Sequence, residues 1–539
     1  MTVNVYNPNL LSRNFFSFLL AIIFLLLNTF SGPVKAQPSQ KIQVSAKYTV
    51  TPLFKNLAHN PAVQIRIFVP EGETMTYQGL HINLSRQATD AIERLDVHES
   101  VAYEREFDPE SRLLASTKPL EKISVPINLT CKPGLTFLWV SVILRDDADP
   151  DSWIRMGVKG LVTESGNVHS PGISNEGIDR EGNFSFRIGL ALRKQWDDSV
   201  HTYRIPGMIT TDKGTLIAVY DIRYNNSRDL PGNVDVGMSR STDGGKTWEP
   251  MKNIMDMGPP HENNGIGDPS ILFDPVKKTI WVASLWSKGN RSIAGSLPGL
   301  SPDSTGQFVL VSSNDDGVTW SDPVNITSQV KDPKWHIYFQ GPGSGITMAD
   351  GTLVFPSQFW DESKRPGIPH SSIIYSRDGG KSWKSGTGAK PNTTESQVVE
   401  TTPGMLMLNM RDNRGRFRSI STSNDLGKTW IEHHTSQKAL PDPVCMASII
   451  KARVMVKGSM KDILFFSNVA SPDTRRNTTL KASADLGESW PAQNEVLLDE
   501  RRTYGYSSLA RIDAKTVGIL YEGERDLYFL RIPVNEIIR

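Results

Sequence analysis

The sequence predicts an all-β protein: a six-bladed β-propeller preceded by a smaller β-rich, sandwich-like N-terminal domain. Three observations predict it. Apolar residues alternate or cluster in short runs, as at 63–67, 216–220 and 280–285, and Gly, Pro, Asn and Asp separate them, which is the grammar of strands and turns. No long stretch carries a 3.6-residue period, and residues 90–95 form the one short segment with a helical pattern. Finally, five segments share the pattern S-x-D-x-G-x-[T/S]-W: residues 241–248, 313–320, 376–383, 423–430 and 483–490.

The physics of this repeat is that of a hairpin turn. The Asp accepts bonds from nearby backbone N–H groups, and the Gly adopts positive φ without steric cost. The Trp is then expected to bury its ring against the following strand. Successive Trp residues stand 47 to 72 positions apart, room for one four-stranded blade each. The tail from Tyr504 onward has strand-like runs and no box, so it is expected to supply a sixth blade.

The domains are expected at 1–36 (a leader), 37–178 (the β-rich module) and 179–539 (the propeller). In the leader, Arg13 precedes an apolar run at 15–27 broken only by Ser17, and Val34, Lys35 and Ala36 offer a cut before Gln37. That pattern predicts export, to the periplasm, the cell surface or the medium. The run is short for a hydrocarbon core about 30 Å thick, and no other segment is apolar enough to cross one, so the mature chain is expected to have no transmembrane segment. Residues 174–183, rich in Gly, Asn, Asp and Glu, read as the linker between module and propeller. Cys131 and Cys445 are too few and too far apart for a disulfide framework or a metal cluster.

A formal net charge of +1 gives no electrostatic argument for nucleic acid or for an anionic membrane. Affinity for an anion must come from locally placed cations. His261-Glu262 lacks the second histidine of a zinc-protease helix, and residues 341–345 lack the Lys of a phosphate loop. The boxes are structural, so chemistry has to be sought between them.

There, Tyr203-Arg204-Ile205-Pro206 is followed by Arg223, within Asp-Ile-Arg, and by Asp229 in a polar loop. Glu395 precedes Arg411, within Asn-Met-Arg. Phe466-Ser-Asn468 leads to Arg475, and Tyr504-Gly-Tyr506-Ser507 leads to Tyr521-Glu522. In order and spacing these elements resemble the catalytic domain of bacterial exo-α-sialidases, from near Phe184 to the end of the chain. The N-terminal module resembles the β domain that precedes some of those catalytic propellers.

The resemblance implies a function and roles. Sialic acid carries a carboxylate on its anomeric carbon, and planar guanidinium groups match a carboxylate bidentately. Arg204, Arg411 and Arg475 are implied as its binding triad, with Arg476 the alternative to Arg475. A carboxylate nucleophile would be repelled by that charge, whereas a neutral phenol needs only a base. Tyr506 is implied as nucleophile, Glu395 as its base and Asp229 as general acid and base, with Tyr504 the neighbouring alternative to Tyr506. Glu522 is implied to hold Arg204, Arg223 to contact the sugar, and Asp268 to line the same edge. Trp286, Trp335 and Trp360 are candidates for subsite walls, although core or rim positions fit them better, and the glycines of 341–345 are expected to let backbone approach the sugar. Sialylated glycans are the implied substrates, with a possible second glycan contact through the N-terminal module. The scheme needs no cofactor. A trans-sialidase would share every one of these residues; a lectin would have no need of Asp229, Tyr506 or Glu395.

Overall fold

The computed structural model describes residues 41–538 except 101–106, 174, 290 and 364. The leader at 1–36 lies outside the described residues. Strands take 53% of the chain and helices 5%, which makes the fold all-β. No helix among the described residues is long and apolar enough to cross a membrane.

The N-terminal module is two sheets packed face to face. One runs Gly172–Ile173, Gln43–Tyr48, Asn60–Val69, Gly134–Leu144, Ile92–Ser100, Arg112–Thr117. The other contains Phe184–Arg193, Trp153–Thr163, Met75–Leu84 and Lys122–Cys131. Lys122–Cys131 alternates exposed and buried residues along its whole length, so Ile123, Val125, Ile127 and Leu129 join Val63, Leu80 and Val140 in one core. The helical expectation for 90–95 needs correction. The helix is Arg86–Ala91, capped by Ser85, and Ile92 already begins a strand because Leu95 and Val97 alternate into the core.

Among the described residues, the rest of the chain forms six larger sheets, antiparallel apart from the pairing of Asn264–Asp274 with Gly343–Ser344, and a two-stranded pair of Arg416–Phe417 with Pro441–Asp442. Their first strands neighbour one another in a closed ring: Thr202–Thr210, Asn264–Asp274, Ile337–Gln340 with Ile346–Thr347, Thr393–Thr402, Ser448–Val456 and Ser507–Arg511. This is the propeller. Its last sheet is not made from the tail alone, as the sequence implied. Phe184–Arg193 adds the outer strand, pairing Leu190 with Phe529 and Ala191 with Tyr528. The chain thus closes the ring with a strand that precedes the first blade, leaving no open edge at the seam.

The same strand ties the two parts together, since Phe184–Arg187 pairs with Trp153–Met156 of the module. Residues 175–183 are irregular, as their composition predicts, but anchored. Asn175 exchanges bonds of 2.8 and 2.7 Å with the Tyr48 backbone, and Asp179 accepts from the Glu181 and Asn183 N–H groups at 2.9 Å. Phe54 of the module stacks on Tyr528 of the propeller at 4.1 Å, and Arg531 pairs with Asp151 at 2.7 Å.

All five boxes fold alike. In the third, Ser376 Oγ donates to Asp378 at 2.7 Å, Gly380 N donates to Ser376 Oγ at 2.9 Å, and Ser382 donates twice to Asp378 at 3.0 and 2.6 Å. These bonds hold the Asp378 carboxyl below its ordinary range. The Trp rings depart from expectation: they wedge between sheets rather than onto the following strand. Trp248 meets Phe529 of the last sheet edge-on at 5.2 Å, and Trp383 meets Trp281 of the preceding sheet at 6.1 Å. These two boxes therefore each rivet two blades. Gly380 sits at φ +85°, and a Cβ there would lie 2.2 Å from the Trp281 ring. Gly380→Ala is expected to destabilise the protein by about 2–4 kcal/mol through strain plus lost packing, read as a lower urea midpoint at unchanged m-value.

Candidate active site

The expected residues converge around the ring axis, at the ends of strands from different sheets. Tyr506 immediately precedes Ser507–Arg511, and its hydroxyl bonds to Glu395 on Thr393–Thr402. Arg411 Nη1, at the end of Met405–Asp412, donates to Glu395 Oε2 at 2.5 Å and to the Tyr506 hydroxyl at 3.0 Å. The pairing between these two strands slips between Thr393 and Ser396, a bulge that brings the Glu395 carboxylate onto Arg411. Burial and the Glu395 charge push the Tyr506 phenol well above its ordinary value, against the pull of Arg411 and Arg204. In the resting site it is a neutral phenol with a carboxylate acceptor already on its proton.

Arg204 lies sandwiched between two rings, its guanidinium carbon 4.9 Å from the Tyr504 centroid and 5.1 Å from that of Tyr506. Glu522 holds it from behind with bonds of 3.0 and 3.4 Å. The same carboxylate accepts Ile205 N and Tyr506 N at 2.9 Å each. Ile205 adopts φ +57°, unusual for a β-branched residue. The register also slips there between Arg204 and Gly207, so Glu522 pins a strained bulge. Because Glu522 is fully buried and bonds four donors, Glu522→Ala is expected to cost about 3–5 kcal/mol. Chemical denaturation measures this, and a cost under about 1 kcal/mol would contradict the pinning.

Arg475 lies 5.9 Å over the Tyr506 ring, and the Tyr504 carbonyl orients it at 2.8 Å. Arg476 is exposed and turns away, toward the N-terminal module. Tyr504 does not share a regular strand with Tyr506, because Gly505 between them takes φ +97°. Its hydroxyl reaches Ser227 at 3.4 Å, whereas that of Tyr506 reaches Glu395 and Arg411.

Asp229 stands on the rim with its side chain 68% exposed. Arg223 Nη1 donates to it at 2.6 Å, and Arg204 lies 3.7 Å away. Burial would raise its proton affinity, but Arg223 and Arg204 outweigh that and hold the carboxyl below its ordinary value. Beside it Leu230 plugs into a cluster with Val234, Leu285 and Ile337, against which Trp360 packs. Asp268 lies beyond Asp221, which accepts the Asp268 N–H at 2.7 Å, and its backbone is left-handed at φ +56°. Burial, then Asp221 and Asp229, push the Asp268 carboxyl well up.

Not every expected residue takes part. Trp335 stacks on Phe359 at 4.0 Å, and Trp286 donates to Asn264 at 2.8 Å against a blade core. The glycines at 341–345 face protein: a Cβ on Gly341 would lie 2.6 Å from the Ser396 carbonyl and one on Gly345 2.5 Å from that of Val354. They bring inner strands together rather than opening backbone to a ligand.

Three buried charges were not foreseen. Asp221 is fully buried and pairs with Arg223 at 2.8 Å. Arg418, also fully buried, donates to Asn409 at 2.7 Å and lies 3.6 Å from Asp442. The Asp-Ile-Arg spacing puts Asp221 and Arg223 on one strand face and was a readable signal; Arg418 left none. Burial pushes the Cys445 thiol up to about 12, so it is inert.

The arrangement suits an anionic ligand: three guanidinium groups around a neutral phenol, a carboxylate on the phenol's proton, and a second carboxylate on the opposite rim. Comparison with known proteins agrees. Residues 205–500 match the family described as a BNR repeat-like domain. A Bacteroides fragilis sialidase is 46% identical over 415 residues, covering 76% of this chain and 75% of that protein. A Micromonospora viridifaciens sialidase is 32% identical, and the match spans 59% of this chain and half of that protein. The solved structure of a Hadza microbial sialidase superposes with a TM-score of 0.83 at 38% identity, covering 92% of this chain and all of the other.

Proposed function

The chain belongs to the sialidases, glycoside hydrolases that release sialic acid, and from that premise we propose that it cleaves terminal α-linked sialosides with retention through a covalent Tyr506–sialyl intermediate. The observation that carries this reading is the Tyr506–Glu395–Arg411 triangle beneath Arg204 and Arg475. Arg204, Arg411 and Arg475 receive the sugar carboxylate. Glu395 takes the phenolic proton as the Tyr506 oxygen bonds to the anomeric carbon, and Asp229 protonates the departing glycan oxygen. Asp229 then deprotonates the water that attacks the anomeric carbon and breaks the aryl glycosidic bond, and the proton returns from Glu395 to the departing Tyr506 oxygen. Asp268 lines the sugar on the Asp229 side, and Arg223, which is buried rather than open to the sugar, holds Asp229 from behind.

Two further parts complete the reading. Export follows from the leader at 1–36. A second glycan contact is supported by a cleft of about 790 Å³ between module and propeller. The partly exposed Phe107 ring, backed by the buried Trp139, walls it on one side, and Arg476, Arg502 and Glu524 on the other, an aromatic edge facing polar groups.

The test is turnover of an aryl 2-α-sialoside by the purified chain, followed by proton NMR. Retention predicts that α-sialic acid appears first and then mutarotates. If the β anomer appears first, the covalent route is wrong. Adding lactose separates the neighbouring activity: accumulation of sialyllactose in place of free sialic acid would identify a trans-sialidase.

A further inference from the structure

The N-terminal module brings two histidines and an aspartate together. Asp96 and His98 share a face of the strand Ile92–Ser100, and His59 lies in the turn before Asn60–Val69. One ligand atom from each lies within 4.8 Å of the others. Asp96 and His98 are each 3% exposed.

A histidine kept only for packing satisfies both ring nitrogens when buried. These do not. His98 Nδ1 lies 3.3 Å from the Ser111 carbonyl, which makes it the protonated nitrogen and leaves the lone pair on Nε2. That Nε2 is buried without a partner, and so is His59 Nδ1. Arg94 grips Asp96 from the other side with bonds of 3.0, 3.1 and 3.3 Å. A carbonyl on the far nitrogen of a histidine and a donor on a carboxylate are what fix metal ligands in orientation.

From this geometry we infer that His59, Asp96 and His98 form a binding site for a divalent transition metal of the zinc class. Two imidazoles and one carboxylate suit zinc and its neighbours rather than magnesium or calcium. Zinc holds such ligands at about 2.0–2.2 Å, so the side chains close by about 1 Å around it, and a water completes the set. The ion has a structural task. The Phe107 ring stands 5.1 Å from His98 and 5.5 Å from His59, edge-on to the former. Phe107 also walls the cleft toward the propeller, so the ion braces that wall. The inference is independent of the sialidase chemistry.

The full chain, stripped with a chelator and dialysed, is titrated with Co²⁺ and Zn²⁺. Expected are one equivalent bound per chain, a visible ligand-field spectrum with Co²⁺, and a melting midpoint raised by roughly 5 °C at saturating Zn²⁺. His59→Asn, at a partly exposed position that the core does not need, and His98→Asn should each lose all three effects. His59→Asn should still turn over a small aryl sialoside, which shows that it folds. His434→Asn is the control, because His433, His434 and Glu488 form the other such cluster among the described residues. An equivalent that survives His59→Asn, or disappears in His434→Asn, overturns the assignment, as does a parent chain that holds no metal at micromolar concentration.

Discussion

Tyr506→Phe is expected to lower kcat for an aryl 2-α-sialoside by about 10³-fold or more while KM and stability change little. The reasoning rests on what the substitution removes. The phenyl ring stays beneath the guanidinium groups of Arg204 and Arg475. Only the hydroxyl goes, and with it the bonds to Glu395 and Arg411, which remain paired with each other at 2.5 Å. No carboxylate is stranded, so melting should shift by no more than about 1 kcal/mol equivalent. A 10³-fold loss is about 4 kcal/mol of transition-state stabilisation, the scale of a lost bond-forming group. Intact mass spectrometry of the parent under rapid quench should show a sialyl adduct that the variant lacks. A loss under tenfold would remove Tyr506 from the bond-forming step. Because the phenol is pushed above its ordinary value, raising the pH below that value creates no phenolate; activation depends on Glu395.

Local chemistry was what the sequence made legible. Each box closes within five residues, as when Gly427 N and Ser423 Oγ meet at 2.9 Å, so a short pattern carries the whole turn. Motif context picked out the residues that the structure gathers around Tyr506, although Arg475 and Arg476 could not be told apart. Adjacent residues there diverge, and the Tyr504 carbonyl that orients Arg475 lies 29 positions away. Pairings across the whole chain were not legible. Nothing in Phe184–Arg193 announces a partner at Leu527–Phe529, since the apolar run of a strand buried on both faces looks the same whichever neighbours it takes. The box Trp rings were misplaced for a related reason: burial is written in the side chain, but which blade supplies the surface is decided by the ring's closure. Arg418 was missed because a lone arginine normally reads as surface, and only Asp442, Asn409 and the Cys445 carbonyl, gathered in space, make its burial tolerable.

Asp229→Ala should divide substrates by leaving group. On a sialyl–galactose linkage, whose departing alkoxide needs a proton, kcat/KM is expected to fall about 10²–10⁴-fold. On an aryl sialoside, whose phenolate leaves unaided, the first bond cleavage should fall by no more than about tenfold, and the burst should then expose slow attack by water. Equal losses on both substrates would mean that Asp229 positions the sugar and transfers no proton. The pH dependence follows from its surroundings. With Arg223 at 2.6 Å and Arg204 at 3.7 Å, the free carboxyl titrates below its ordinary value. The acid form is therefore present at low pH and is lost as pH rises through that depressed value. For the glycan substrate, kcat/KM should fall towards neutral pH, and for the aryl substrate much less. The substrate itself counters this. Its carboxylate, docked on Arg204, Arg411 and Arg475, cancels part of the positive field that depresses Asp229, so the acid gains proton affinity in the complex. The descending limb of kcat should accordingly lie at higher pH than that of kcat/KM. Arg223→Lys, which keeps the charge but loses the fork between Asp221 and Asp229, should move both limbs upward by loosening the grip on Asp229. If the limbs of kcat and kcat/KM coincide in the parent, the docked carboxylate does not reach Asp229 electrostatically, and its proton affinity stays as Arg223 and Arg204 set it in the free enzyme.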